Sequence, residues 1–266
     1  MLIFLKLGGS LITEKNNPHT VRIAQIESAA KEIKSALHSD PDLKLIIGHG
    51  SGSYGHVPAK KYGTRNGVYS KTDWIGFTEV HSEASELNAI VMNTFRKEGL
   101  PCINFSPLSY FLSNKHILLP CNLSGIISSL NNGIIPVVFG DTVFDLSLGG
   151  TIFSTEEIFI FLAQSLHISS KILLSGIEKG IWKNFPSRDE LYSDINLNNQ
   201  NNEWDQSAIS SIYTDVTGGM KEKVRLMKNA VQFGLIQEAI IFSGEIKGNI
   251  LNALSNQNPG TRIYLK

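Results

Sequence analysis

Leu43-Lys44-Leu45-Ile46-Ile47-Gly48-His49-Gly50-Ser51-Gly52-Ser53-Tyr54-Gly55-His56 sets an apolar run directly before a turn rich in glycine, with two serines and two histidines. The run Leu43–Ile47 reads as a buried strand. Glycine accepts a positive φ and lets a ligand approach the backbone, so consecutive N–H groups can converge on phosphate oxygens. Ser51 and Ser53 add hydroxyl donors, and His56 adds a donor whose charge can change near neutral pH. A Gly/Ser turn after a strand is equally compatible with a tight connection and nothing more. The remainder of the chain has to separate the two.

Outward from this unit, short apolar runs recur at Leu2–Leu7, Cys102–Phe105, Ile134–Phe139, Ile172–Leu174, Ala239–Phe242 and Arg262–Leu265. Their nearly continuous apolar character suits strands covered on both faces in a mostly parallel sheet. Between them, Ile23, Ile26, Ala30, Ile33 and Leu37 fall at helical spacing, as do Ile75, Val80, Ala84, Leu87, Val91 and Phe95. Ser154–Leu166 and Lys221–Phe233 read as helices too. Alternating strands and helices predict a layered α/β fold with helices on both faces, which binds ligands where loops and helix N-termini meet the carboxyl ends of strands. Thr142–Phe153, turning around Leu148-Gly149-Gly150, reads as a β-hairpin, and the Asn-rich Asn196–Asp205 as a solvent loop.

The 266 residues balance twenty-four basic against twenty-four acidic side chains, so no overall field favours nucleic acid or an anionic membrane surface. Any anion site must be local. Cys102 and Cys121 lack metal-ligand spacing and read as buried thiols of a reducing compartment. The N-terminal apolar stretch is too short for a signal-peptide core and no run approaches a membrane span, so the cytoplasm is the expected location. No domain boundary interrupts residues 1–266, and no metal-ligand set is expected from protein side chains.

Three glycine-containing segments each bring a cation: Lys6-Leu7-Gly8-Gly9-Ser10 with Lys15, the loop ending at His56, and Thr217-Gly218-Gly219-Met220-Lys221-Glu222-Lys223. Three such segments point to a site for several phosphates. Lysines near a helix N-terminus run against the macrodipole unless an anion lies between. Lys6 could otherwise be a solvated edge lysine, and Lys223 part of an exposed charged turn with Lys221, Glu222 and Arg225. The P-loop pattern, the protein-kinase signatures, H-E-x-x-H and G-x-S-x-G are all absent.

In their order along the chain, Lys6-Leu-Gly-Gly-Ser, the glycine loop, Gly140-Asp141 and Thr217-Gly-Gly-Met-x-x-Lys223 resemble the amino acid kinase superfamily over nearly the whole length. Within it, Gly8-Gly9-Ser10-Leu-Ile-Thr13-x-Lys15 and Gly-Ser-Tyr-Gly-His56 are similar to the isopentenyl phosphate kinases. The resemblance implies a three-layer αβα sandwich with a mainly parallel central sheet, a homodimer, and transfer of the ATP γ-phosphate, with Mg²⁺, to isopentenyl phosphate. It implies acceptor binding and dimerisation in about residues 1–165 and nucleotide binding in about 166–266. Lys6, Lys15 and Lys223 would be the catalytic cations. Gly8, Gly9, Ser10, Gly176, Lys179, Gly180, Gly218, Gly219 and Lys221 would meet the nucleotide. Gly50, Gly52, Ser53, Gly55, His56, Gly140 and Asp141 would form the acceptor side.

A phosphate monoester has its second pKa near 6, so its oxygen is a ready nucleophile and no general base is required. In a loose phosphoryl-transfer transition state, alignment and neutralisation of charge do most of the work. Two departures from the family pattern stand out. Where the family has Ser-Gly-Asp before a helix, this chain has Ser154-Thr155-Glu156-Glu157, in which Glu156 could orient the lysines or Ser154-x-x-Glu157 could simply be a capping box. A Val-Asp-Gly segment is here Glu178-Lys179-Gly180. Asp141 reads either as a partner of Mg²⁺ or the lysines, or as a turn residue. The helix Trp74–Phe95 is expected to line an apolar acceptor pocket with the side that presents Phe77, Val80, His81 and Ala84, or else to pack the core or a dimer contact. His81 reads as a packed or surface histidine. A fosfomycin-type phosphonate kinase makes the same demand on His56, and a non-catalytic nucleotide or prenyl-phosphate sensor would tolerate the change at Glu156.

Overall fold

The computed structural model describes residues 1–14, 17–184, 187–198 and 219–266, so Lys15, Thr217 and Gly218 lie outside the described residues, as does the Asn-rich segment from residue 199 on. Along the chain run β1 (Leu2–Leu7), α1 (Gly9–Ile12), α2 (Ile23–Ser39), β2 (Lys44–His49), α3 (Gly52–Tyr62), α4 (Lys71–Lys97), β3 (Cys102–Asn104) and α5 (Pro107–Tyr110). β4 (Leu112–Asn114), β5 (Ile117–Leu118), α6 (Ser124–Asn131), β6 (Ile135–Phe139), β7 (Asp141–Asp145), β8 (Gly149–Phe153) and α7 (Thr155–Leu166) follow. The last are β9 (Ser170–Gly176), β10 (Asp194–Asn196), α8 (Gly219–Gln232), β11 (Glu238–Ser243), α9 (Asn249–Leu254) and β12 (Thr261–Tyr264).

One sheet runs in the order β10-β12-β11-β9-β1-β2-β6-β3, parallel except for the β11–β12 pair. The expected αβα layering follows from the parity of its central strand. Leu2 and Phe4 point into a core shared with α6, α7 and α8. Ile3, Leu5 and Leu7 point into a second core shared with α2, α4 and α9. Each such side chain contributes roughly 1.5–3 kcal/mol by leaving water, and Phe4 meets Phe159 of α7 at a ring separation of 5.0 Å. Lys6 has the parity of Leu2 and Phe4, so it is directed at the α7 side, where no apolar residue takes its place.

The expected hairpin forms between β7 and β8, inside a second small sheet ordered β5-β4-β7-β8. α4 opens with a capping box between Ser70 and Asp73, which fixes the start of a helix whose Leu87, Val91 and Phe95 close the second core. One element differs from expectation. Gly52–Tyr62 is helix, not loop, so His56 lies in a helical first turn and Gly48-His49 belong to β2. Among the described residues, no helix is long and apolar enough to cross a membrane. Cys102 and Cys121 are free and half-buried, and burial pushes both thiols up.

Candidate active site

β1 is the pivot of the sheet: β2, β6 and β3 lie on one side, and β9, β11, β12 and β10 lie on the other. Such a reversal leaves a crevice beyond the carboxyl ends of the strands. A cleft of about 770 Å³ opens there. β1 and its turn supply Lys6, Gly8, Gly9 and Ser10; the β2–α3 turn and α3 supply Gly50, Ser51, Gly52, Ser53 and His56; β9 leads in Ser175 and Gly176. Gly140, the segment Ile152–Glu156, Gly219 and Lys223 complete the wall.

The two glycine turns cross backbone to backbone. A Cβ on Gly9 would lie 2.5 Å from the Gly52 amide nitrogen, and one on Gly50 would lie 2.9 Å from that of Gly9. Only glycine permits this approach. Thr13 stitches the crossing, donating its hydroxyl to the Gly9 carbonyl at 2.8 Å and accepting the Ser53 amide at 3.0 Å. Ser51 is right-handed helical at φ −74°, and Gly52 is left-handed at φ +52°. That succession turns the Ser51 and Gly52 amide hydrogens to one concave side, an arrangement suited to an anion, while the Ser53 amide is already taken by Thr13. The Ser53 and Ser175 hydroxyls on this wall are buried without a hydrogen-bond partner among the described residues. His56 turns its Nδ1 to the Gly52 carbonyl, one helical turn back.

At the cleft floor, the Lys6 ammonium meets Glu156 Oε2 at 2.5 Å, with both side chains buried. The neighbouring residue does the capping. The Glu157 carboxylate accepts the Ser154 amide at 2.7 Å while Ser154 Oγ accepts the Glu157 amide. A carboxylate beside Lys6 and a capping box are therefore both present, on adjacent glutamates about 100° apart on the helix. Glu157 also takes two hydrogen bonds from Arg65 and one from His116 at 3.0 Å. Burial pushes its carboxyl up, but the His116 and Arg65 contacts outweigh this and hold it at about 2.

Not every expected residue comes to the cleft. Phe77 is buried in a cluster with Trp74 and Phe144, its ring against Gly150, and does not line it. Asp141 is fully buried at the start of β7 and pairs with His81 Nδ1 at 2.9 Å, so the hairpin register turns it toward α4. Burial pushes the Asp141 carboxyl up against the His81 contact, and Asp141 raises His81 in turn. Gly55 is buried within α3, and Gly180 packs on Thr261. Lys179 and Lys221 are exposed and outside the lining, whereas Lys223, two residues on, is half-buried and within it. Sequence reasoning missed Val57, Lys60 and Lys61 on the cleft rim. The signal is the i, i+3, i+4 spacing of Val57, Lys60 and Lys61, which a helix over Gly52–Tyr62 places on one face. Arg188 also lines the rim and pairs with Glu178 at 3.3 Å.

The sequence profile of the amino acid kinase family matches residues 1–243. The chain belongs to the amino acid kinase family. Among relatives, the isopentenyl phosphate kinase of Methanocaldococcus jannaschii is 29% identical over 276 aligned residues, covering 99% of this chain and 98% of its own. That of Methanothermobacter thermautotrophicus is 29% identical over 272, covering 98% of each. An X-ray structure of isopentenyl phosphate kinase superposes with a TM-score of 0.80 at 26% identity, covering 99% of this chain and all of that one. Membership of the amino acid kinase family thus accords with the layered fold and with the glycine crossing at the carboxyl end of its sheet.

Proposed function

We propose that this protein transfers the γ-phosphate of ATP to isopentenyl phosphate, giving isopentenyl diphosphate and ADP. The observation that carries the proposal is the placing of His56 and the amide nest on one wall of a cleft whose floor is Lys6. A phosphorylated acceptor needs a cationic or donating wall of its own, separate from the lysines that meet the donor. Relatives named isopentenyl phosphate kinase that span the whole chain support the choice of acceptor.

In the reaction, an oxygen of the acceptor phosphate forms a bond to the γ-phosphorus as the bond to the β–γ bridging oxygen breaks. The electron pair leaves with ADP, and no proton has to move. Lys6, held by Glu156, neutralises charge on the transferring group, and Lys223 does so from the other wall. Gly8, Gly9 and Ser10 cradle the donor phosphates, and Gly176 and Gly219 border the nucleotide. Gly50, Gly52, Ser53, Gly140 and His56 hold the acceptor. Among the described residues, no three His, Cys, Asp or Glu side chains converge on one point. Mg²⁺ entering with ATP would take phosphate oxygens and water as ligands, and the carboxylates that line the cleft are Glu156 and Glu178. The ion supplies neutralisation of phosphate charge. Acceptor binding and dimerisation belong to about residues 1–165 and nucleotide binding to about 166–266, with a homodimer as the assembly.

Incubation with ATP, Mg²⁺ and either isopentenyl phosphate or fosfomycin, followed by ³¹P NMR of the products, tests the proposal. A diphosphate made much faster from isopentenyl phosphate is expected. A preference for the phosphonate, or binding of both ligands without ADP release, would overturn it.

A further inference from the structure

The buried imidazole of His49 has no part in the chemistry above, yet it sits directly behind the anion nest. It is fully buried at the last position of β2, stacked on Phe139 at 5.5 Å with an interplanar angle of 7°. Its Nδ1 lies 3.2 Å from the carbonyl oxygen of Gly50. Its Nε2 lies 3.1 Å from the side-chain amide oxygen Oδ1 of Asn88 on α4. A carbonyl can only accept, so Nδ1 carries a proton. In the neutral ring Nε2 then accepts, and the Asn88 amide, whose two ends interchange by a flip, presents its nitrogen. Burial pushes the imidazole pKa down, the nearby Lys6 charge adds to the fall, and the Gly50 hydrogen bond opposes both. The neutral form is the one this geometry uses.

The consequence falls on the next peptide. The Gly50 amide is already tied to the Leu7 carbonyl at 3.1 Å. With the Gly50 carbonyl tied inward by His49, the planar trans peptide must send the Ser51 N–H the opposite way. Ser51 lines the cleft, and no backbone carbonyl among the described residues takes its amide hydrogen. Were this peptide to turn over, a carbonyl oxygen would face the anion in place of a donor. The His49 backbone carbonyl meanwhile accepts the Thr155 hydroxyl at 2.7 Å and the Gly140 amide at 3.1 Å, so the imidazole stands on a fixed frame.

We infer that His49 is a positioning residue that sets the polarity of the phosphate cradle, its Nδ1–H holding the Gly50 carbonyl away so that the Ser51 amide faces an incoming phosphate. The inference rests on the phosphate-binding reading of the cleft. An asparagine amide nitrogen reaches the place of Nδ1, whereas a glutamine amide nitrogen reaches that of Nε2. His49→Asn therefore keeps the bond that matters and loses the one to Asn88, and His49→Gln does the reverse. Asn88→Ala removes the outer partner alone.

Steady-state kinetics and melting temperatures of the three variants provide the test. His49→Gln should raise the acceptor KM roughly tenfold or more, while His49→Asn and Asn88→Ala should stay within about threefold of wild type despite lowered melting temperatures. Equal KM values for His49→Gln and His49→Asn, or KM values that merely track melting temperature, would overturn the inference. If His49→Gln does not fold, a tenfold rise in KM for His49→Asn or Asn88→Ala overturns it and unchanged KM values in both support it. A wild type that does not phosphorylate isopentenyl phosphate refutes the proposed reaction instead. Stabilisation by inorganic phosphate then replaces KM as the readout. Its loss in His49→Gln alone supports the positioning role, and its absence in wild type removes it.

Discussion

Two lysines are buried in neighbouring strands of the same sheet, and they are held in opposite ways. Lys6, near the carboxyl end of β1, has a carboxylate at 2.5 Å and lines the cleft. Lys171, near the amino end of β9, is fully buried and meets neutral oxygens: Asn256 Oδ1 at 2.8 Å and the Ala253 carbonyl at 3.4 Å, with Glu238 only at 3.8 Å. Burial pushes Lys171 down in pKa, against the pull of Glu238. Lys171 is satisfied by carbonyl and amide oxygens, whereas Lys6 is kept on a charged partner and given an open side, as the proposed phosphate-binding role requires. The end of the sheet decides which: helix N-termini and glycine turns gather at the carboxyl end, and at the other end the chain simply closes over the strand.

The sharpest way to break this contrast is to delete each cation. Lys6→Ala should lower kcat by about two to three orders of magnitude, as loss of a charge-stabilising donor does. Lys171→Met should leave kcat alone and cost about 1–3 kcal/mol of stability, because two buried acceptors lose their donor. Turnover and urea unfolding of both variants decide it; a Lys171 variant slower than the Lys6 variant would reverse the assignment.

The adjacent glutamates repeat the contrast on a smaller scale. Glu156→Gln keeps a hydrogen-bonding group beside Lys6 but removes the charge that holds it, and kcat should fall roughly tenfold with the fold intact. Glu157 has the structural part. With its carboxyl at about 2 against an ordinary 4.5, its stabilisation is present above about pH 4.5 and is lost as pH falls through about 2. The difference in unfolding free energy between wild type and Glu157→Gln should reach up to ~3 kcal/mol above pH 5 and shrink steadily in acid. A difference independent of pH would show that the Arg65–Glu157–His116 contacts do not favour the ionised form.

How much of this the sequence displays depends on what carries the signal. β1 is readable because all its residues but Lys6 are apolar, and strand parity then aims Lys6 without knowledge of any other element. The second helix and α4 are readable from their apolar spacing. α3 is not, because its first turn reads Gly-Ser-Tyr-Gly-His and its apolar content is low; it is helical because the chain crossing at Gly9 and Gly52 fixes where it must start. Phe77 and Asp141 carry the right chemistry for an acceptor site, and only the hairpin register against α4 shows that they pack on Trp74 and His81. Spacing from Ser154 marks Glu157 as the capping partner, but the identity of the Lys6 partner emerges only when β1 and α7 are placed together.

The division of labour between the two walls of the cleft is tested most directly by the acceptor dependence of His56→Ala. Initial rates of ADP release across a range of isopentenyl phosphate should give an acceptor KM raised roughly tenfold or more, with kcat within a few-fold of wild type. An unchanged acceptor KM, with the loss confined to kcat, would contradict the placement of the acceptor phosphate at His56.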